Sequence, residues 1–425
     1  MLSRVFLSVV LMAAAGAGAQ EFKAGIAVRD ITPQQPVPMW GYGARHDYLS
    51  TGANMPLHAK VLVLDGGNDK VALVGLDIGR GPTYAMMERI EQRVREEAGV
   101  GCVLAVGCHT HHGPVIELLD QPGLGQGKFD ASVAYAKQLP ETLADAIVEA
   151  AKNAVPAAIG VAVAETDLNR NRHSRKEPKV RDPRLSVIRV DDLDGKTLAV
   201  MANLAGHPVL ENIMDRRFSA DWVGHMQQGV EAELGTMCMF MQGASGDMSP
   251  NTNTERKGPD GFGKAVAAKV AEMAKAIQPA VPAQPGVTHL HRSFSGPSRL
   301  DFKNPIVVGT LSQAFFPELM AMLVEVPDNT VTAKLTTVVV NGDLAFAGVS
   351  GELFSDLSNQ IKAQSPVANT LVFGYCNGHC MYIPTESAVG EGGYGADPTV
   401  AWVPVGTGEK IAAQAAADLK ELGAK

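Results

Sequence analysis

Residues 108–114 read CHTHHGP, so His109, His111 and His112, three of eleven histidines in the chain, fall within four positions behind the apolar run VLAVG. Imidazoles at that density serve three kinds of chemistry. They ligate a metal, they form a cluster of general bases, or they sit solvated in a loop and do neither. Two histidines, one carboxylate and an open position make up a catalytic zinc set. His109, with His207 in NLAGHP and Glu352 in GVSGELF, supplies that inventory from three distant segments.

Spacing alone leaves alternatives open. No HExxH sequence places two imidazoles on one helix face. His207 reads equally as a satisfied histidine at a turn, and Glu352 as a residue favoured by the dipole at a helix start. For His111 and His112 the plain reading is solvated loop residues. The segment CNGHC gathers Cys376, His379 and Cys380, which is either a small disulfide loop or a rival zinc set lacking a fourth ligand. Ser249 in GDMSPN lacks a GxSxG elbow, so it reads as a substrate contact or a turn residue before Pro250 rather than a nucleophile. Asp30, Asp77, Asp221 and Asp247 read as turn or cap residues, or as partners that orient a metal-binding histidine. Trp40 and Tyr42 in MWGYG read as packing residues or as the lining of a pocket mouth.

The elements that must position these groups alternate between short apolar strands and longer helical stretches. KVLVLDGGNDKVALVGLDI (60–78) predicts a hairpin about Gly66–Asp69. Helical spacing marks 83–98, 141–154, 222–234, 263–277, a stretch near 353–363 and a closing helix near 409–422. Strands are expected at 103–108, 158–166, 184–192, 197–206, 237–242, 287–294, 334–340, 343–349 and 370–375. The pattern specifies an α/β fold, with mixed α+β as the alternative: central sheets flanked by helices. Pro-rich 279–285 is the candidate sub-boundary. His109, His207, the GASGDMSPN loop, Glu352 and Tyr382 each follow the carboxyl end of a predicted strand. Ligands gather at that edge in α/β proteins, so the segments are expected to converge on one site.

Composition narrows the function classes. With 46% apolar and 19% charged residues, 44 glycines and 25 prolines, the 425-residue chain is long enough for a sizeable core and too apolar for disorder. The first 19 residues, MLSRVFLSVVLMAAAGAGA, have the layout of a signal peptide: a single Arg, an apolar stretch and an A-x-A exit. Export to the periplasm or the outside is therefore expected, leaving residues 20–425 as the mature domain. Loss of Arg4 moves the net charge from −8 to −9. An acidic chain without a polybasic tract argues against nucleic acid and against anionic membrane surfaces as partners. No segment reaches the ~18 uninterrupted apolar residues of a transmembrane helix.

Eight segments in order carry a resemblance. GIAVRDITPQQPVPMWGYG (25–43), HTHHGP (109–114), NRNRHS (169–174), GHP (206–208), SADWVG (219–224), GASGDMSPN (243–251), SGE (350–352) and MYIPTE with GGY (381–394) resemble the neutral/alkaline ceramidase catalytic domain in its short form, without a C-terminal β-sandwich. The resemblance implies a Zn²⁺ bound by His109, His207, Glu352 and Tyr382. It also implies His111 as a second pocket histidine, Arg172 and Tyr394 facing the scissile carbonyl, and Ser249 orienting the substrate. The chain departs from that family at His112, where Ser is usual, and in IPTESAVGEGGYG, which lacks a Glu-Glu-Tyr run.

The expectation is an exported zinc-dependent amidohydrolase. It acts by a metal-activated water on an N-acyl substrate, either a ceramide-like lipid or a smaller acyl amide. The alternatives are a zinc-dependent carboxylesterase on the same scaffold and a non-catalytic metal-containing binding protein.

Overall fold

The computed structural model of the chain describes residues 20–45, 48–314 and 317–423, so the leader-like stretch 1–19 lies outside the described residues. Two sheets organise the fold. Across the larger, the strands run Met237–Gln242, Thr197–Leu204, Arg184–Asp192, Val155–Glu165, Lys23–Asp30, His58–Asp65, Lys70–Leu76 and Cys102–Gly107. The outermost pair at each end is parallel and the neighbours between them are antiparallel. The smaller sheet orders Val287–Pro297, Thr330–Val340, Leu344–Val349 and Asn369–Phe373, with the last pair parallel.

Strands such as His58–Asp65, Lys70–Leu76 and Met237–Gln242 are apolar on both faces because both faces are covered, whereas Val155–Glu165 and Val287–Pro297 are partly exposed. In His58–Asp65, Leu62 and Leu64 point into a core shared with the smaller sheet, whereas Ala59, Val61 and Val63 pack outward under helices. Helices Tyr84–Ala98 and Asp130–Lys152 cover that outer face, and Asp221–Leu234 with Gly258–Ala276 cover the face bearing Val187, Val200 and Phe240. Ser355–Gln364 and Thr407–Gly423 cover the smaller sheet.

The predicted hairpin forms, closed by Gly66 N donating to Asp69 O. The helix expected at 141–154 starts earlier, at Asp130, and carries Pro140 in its interior. A proline there costs about 3 kcal/mol. Val133, Ala136 and Leu139 before it and Leu143, Ala146 and Ile147 after it are buried along one continuous face, which offsets that cost. All five cysteines are free and buried, so Cys376 and Cys380 do not form the small disulfide loop. No helix among the described residues is long and apolar enough to cross a membrane.

The larger sheet curls until its two ends meet. A Cβ on Gly75 would lie 2.7 Å from the Phe240 carbonyl oxygen, so the bare backbone of Lys70–Leu76 presses against Met237–Gln242. The edge strand Cys102–Gly107 is covered by 375–377, with Asn377 N donating to Ala105 O and Gly107 N to Tyr375 O. This curling brings the carboxyl ends of strands from opposite halves of the sheet into one place.

Candidate metal centre

Five segments meet there. His109 follows strand Cys102–Gly107 and adopts a left-handed φ of 71°, which turns its ring inward. His207 follows strand Thr197–Leu204, its N–H donating to Met248 O at 3.2 Å. Glu352 and Tyr382 sit directly opposite one another in a two-residue parallel pairing, Glu352–Leu353 with Tyr382–Ile383. Glu352 therefore lies on a short strand ahead of helix Ser355–Gln364 and not in its first turn. Arg172 comes from the end of Asn169–Asn171, which pairs with Met248–Pro250, and its N–H donates to Asp247 O.

The Nε2 atoms of His109 and His207 stand 3.0 Å apart. Glu352 Oε2 is 3.4 Å from each. His111 Nε2 is 3.4 Å from His109 Nε2, and these three histidines form one group able to share an ion. His109 Nδ1 faces Gly79 O at 2.7 Å and His207 Nδ1 faces Ser245 O at 2.8 Å. A carbonyl oxygen only accepts, so the ring protons are assigned to both Nδ1 atoms and both Nε2 lone pairs turn toward each other. Lone pairs of two imidazoles and a carboxylate then converge with no proton between them. A divalent cation satisfies that arrangement, and the donor set of borderline-soft nitrogens with one hard oxygen fits zinc.

Burial shifts most of these groups from their ordinary values. Burial pushes His207 down to about 3, with Arg172 and His109 adding to the shift. Burial alone would raise the Glu352 carboxyl, but His109 and His207 hold it well below the usual carboxylate range. Burial, then the imidazoles of His109 and His207, keep His111 well below its ordinary value. Tyr382 is buried, and its hydroxyl accepts from Arg172 Nη2 at 3.2 Å; the same Nη2 lies 3.0 Å from His207 Nε2. Burial and the Glu352 charge push the Tyr382 phenol well above its ordinary value.

The remaining sequence expectations divide. Arg172 reaches the centre through its guanidinium, whereas Arg170 lies opposite Ser249 in the short strand pair. Tyr394 is 63% exposed at the rim, its ring 5.6 Å from that of Tyr382. Ser249 is buried opposite Arg170 in the short strand pair, and among the described residues no hydrogen bond joins its hydroxyl to the centre. His112 is not solvated. It is fully buried and turned away, with Nε2 facing Asn212 O at 3.0 Å, because its carbonyl is pinned by Ser219 N. The rival set does not assemble: no group able to hold a metal among the described residues includes Cys376, His379 or Cys380. Asp77 accepts from His58 N and Gln227 and orients neither histidine of the centre; carbonyl oxygens do that instead. Asp30 makes the expected turn bond to Thr32 N, and Asp221 and Asp247 cap backbone N–H groups.

Trp40 and Tyr42 line the centre. Trp40 stands edge-on to His109, His111 and His379, and Tyr42 is tilted against His111 with centroids 4.6 Å apart. Sequence reasoning missed Tyr375, whose ring stacks on His109 at 4.1 Å and whose hydroxyl donates to Glu352 Oε2 at 3.3 Å. Its one signal was position, just beyond strand Asn369–Phe373.

No protein-family model matches the chain. Among solved structures it is similar to neutral ceramidase from Pseudomonas aeruginosa, with a TM-score of 0.74, 18% identity, and 95% of this chain and 75% of that chain covered. It is also similar to a ceramidase complexed with C2, with a TM-score of 0.71, 17% identity and the same coverages. The chain thus has the neutral ceramidase fold over nearly all its length, and the α/β architecture read from the sequence stands.

Proposed function

We propose that this chain is an exported zinc-dependent hydrolase cleaving an amide bond of an N-acyl substrate, a ceramide-like lipid or a smaller acyl amide. One observation carries the reading: two imidazole Nε2 atoms 3.0 Å apart, both with their Nδ1 committed to carbonyls, beside a buried carboxylate. The fold shared with ceramidases supports the substrate class. In this reading His109, His207, Glu352 and Tyr382 hold the Zn²⁺, residues 1–19 are removed on export, and 20–425 form one catalytic domain.

When bound, the metal supplies Lewis-acid polarisation of a carbonyl and activation of water near neutral pH. The protein supplies the rest. Arg172 Nη2, already beside His207 and Tyr382, donates to the substrate oxygen on which negative charge develops, a role worth ~3–4 kcal/mol per donor. Tyr394 donates from the exposed rim. His111, kept neutral by burial, takes a proton at the Nε2 that faces the centre and returns it to the leaving amine. Trp40 and Tyr42 keep bulk water off the imidazoles, and Ser249 contacts or orients the substrate.

Metal content of the purified protein, followed by hydrolysis of a short-chain fluorogenic N-acyl amide with and without chelator, tests the reading. Stoichiometric zinc and chelator-sensitive amide turnover are expected. Turnover of esters alone makes the chain a carboxylesterase, and zinc without turnover on either makes it a binding protein; both sink the amidohydrolase.

A further inference from the structure

A second cluster of soft ligands lies at the other end of the strand that leads to His109. Cys102 opens strand Cys102–Gly107, and the ligand atoms of Cys102, His289 and His291 all lie within 4.8 Å of one another. At ~3.3 Å per residue, the six residues of that strand separate this cluster from the first centre by roughly 20 Å. It therefore shares no ligand with that centre.

The residues around the cluster are arranged as a ligand shell. His289 and His291 are two apart on strand Val287–Pro297, so they share one face of the smaller sheet. His289 Nε2 meets Asp69 Oδ2 at 3.1 Å, which places the ring proton on Nε2 and leaves a lone pair on Nδ1. That Nδ1 is buried without a hydrogen-bond partner. A carboxylate behind one ring nitrogen, with the other nitrogen bare, is how proteins orient a metal-bound histidine. His291 Nδ1 engages Thr336 Oγ1 at 3.0 Å, leaving its Nε2 available.

The platform is rigid where it needs to be. Asp69 is seated over Gly101, where a Cβ would lie 2.3 Å from Asp69 Oδ1, so a larger residue at 101 would have to displace the carboxylate. Asn68, beside it in the hairpin turn, donates from Nδ2 to Val287 O at 2.8 Å and accepts from Val287 N at 2.9 Å. The hairpin of the larger sheet is thereby clamped to the start of the strand that carries both histidines.

We propose that Cys102, His289 and His291 bind a borderline-soft divalent cation such as Zn²⁺, with the histidine–Asp69 pair as support and an open position at the half-exposed rim. The thiol proton of Cys102 leaves to solvent as the cation binds and a thiolate–metal bond forms. The ion cross-links the two sheets through residues far apart in sequence.

Cobalt substitution of the full chain reads this site separately, because the first centre contains no sulfur. Co²⁺-loaded wild-type protein is expected to show thiolate-to-cobalt charge-transfer absorption in the near ultraviolet, bleached by added Zn²⁺. The band is expected to survive in His207→Ala and to vanish in Cys102→Ser. His289→Gln, which leaves the buried thiol in place, guards against a misfolded serine variant and is expected to weaken Co²⁺ binding at least tenfold. Wild-type protein without the band, or a band that persists in Cys102→Ser, overturns the proposal.

Discussion

The Gln242 side-chain amide donates to Cys108 O at 2.8 Å and to Gly206 O at 3.0 Å, the carbonyls immediately preceding His109 and His207. Its Oε1 accepts from Gly206 N and Gly243 N, so the fully buried amide is saturated. One side chain thus sets the separation of the two imidazoles. Gln242→Leu is expected to leave a folded protein whose metal affinity falls ~10–100-fold, the usual effect of losing a residue that orients ligands. Competition with a chromophoric chelator measures it, and unchanged affinity would show that the curled sheet alone holds the pair.

The CHTHHGP triplet divides into residues that face the centre and one that does not. His207→Ala and His109→Ala are each expected to lose metal by more than ~100-fold in affinity, beyond the loss from a supporting residue. His112→Ala should retain stoichiometric metal, since its ring bonds the Asn212 carbonyl. Metal analysis of the three purified variants decides this, and an empty His112→Ala site would reverse the assignment.

Gly41 presses on His111. Its φ is +102°, and a Cβ there would come within 2.5 Å of His111 Cγ. Gly41→Ala should therefore displace the His111 ring while leaving His109 and His207 in place. If His111 moves protons, kcat falls by about 10²-fold or more with metal content unchanged. Loss of metal in step with kcat would instead make His111 a ligand.

Asp182 ties the segment after Arg172 to helix Ser355–Gln364, accepting from Lys362 at 2.7 Å and from Ser358 at 2.9 Å. Burial alone would raise its carboxyl, but Lys362 and then Arg184 hold it below the ordinary value. A carboxylate depressed in the folded state stabilises above its unfolded pKa of about 3.9, and that contribution disappears as pH falls through the folded value. Asp182→Asn should cost about 3–5 kcal/mol at pH 7 by leaving Lys362 buried and unpaired. The variant should also lose less stability than wild type between pH 4 and lower pH. Denaturant melts across that range test both, and parallel curves would refute the linkage.

Much of the fold was legible because strand and helix periods are local. The Gly66–Asp69 hairpin and helices Tyr84–Ala98 and Asp221–Leu234 follow from turn chemistry and spacing that neighbouring residues carry themselves. Helix Asp130–Lys152 begins well ahead of the expected 141 and runs through Pro140, a local stop signal, because the burial that overrides it involves residues from other elements.

For the site, the sequence by itself determined the inventory: which imidazoles, carboxylate and phenol follow strand ends, and that strand ends in an α/β chain face one edge. Only the tertiary structure decided that His112 turns away, that Tyr375 stacks on His109, and that Gly79 and Ser245 carbonyls set the tautomers. Those outcomes depend on the curl that presses Gly75 against Phe240 and joins the two ends of an eight-stranded sheet. Side-chain direction at a loop is set by contacts across the fold, and no run of neighbouring residues encodes them.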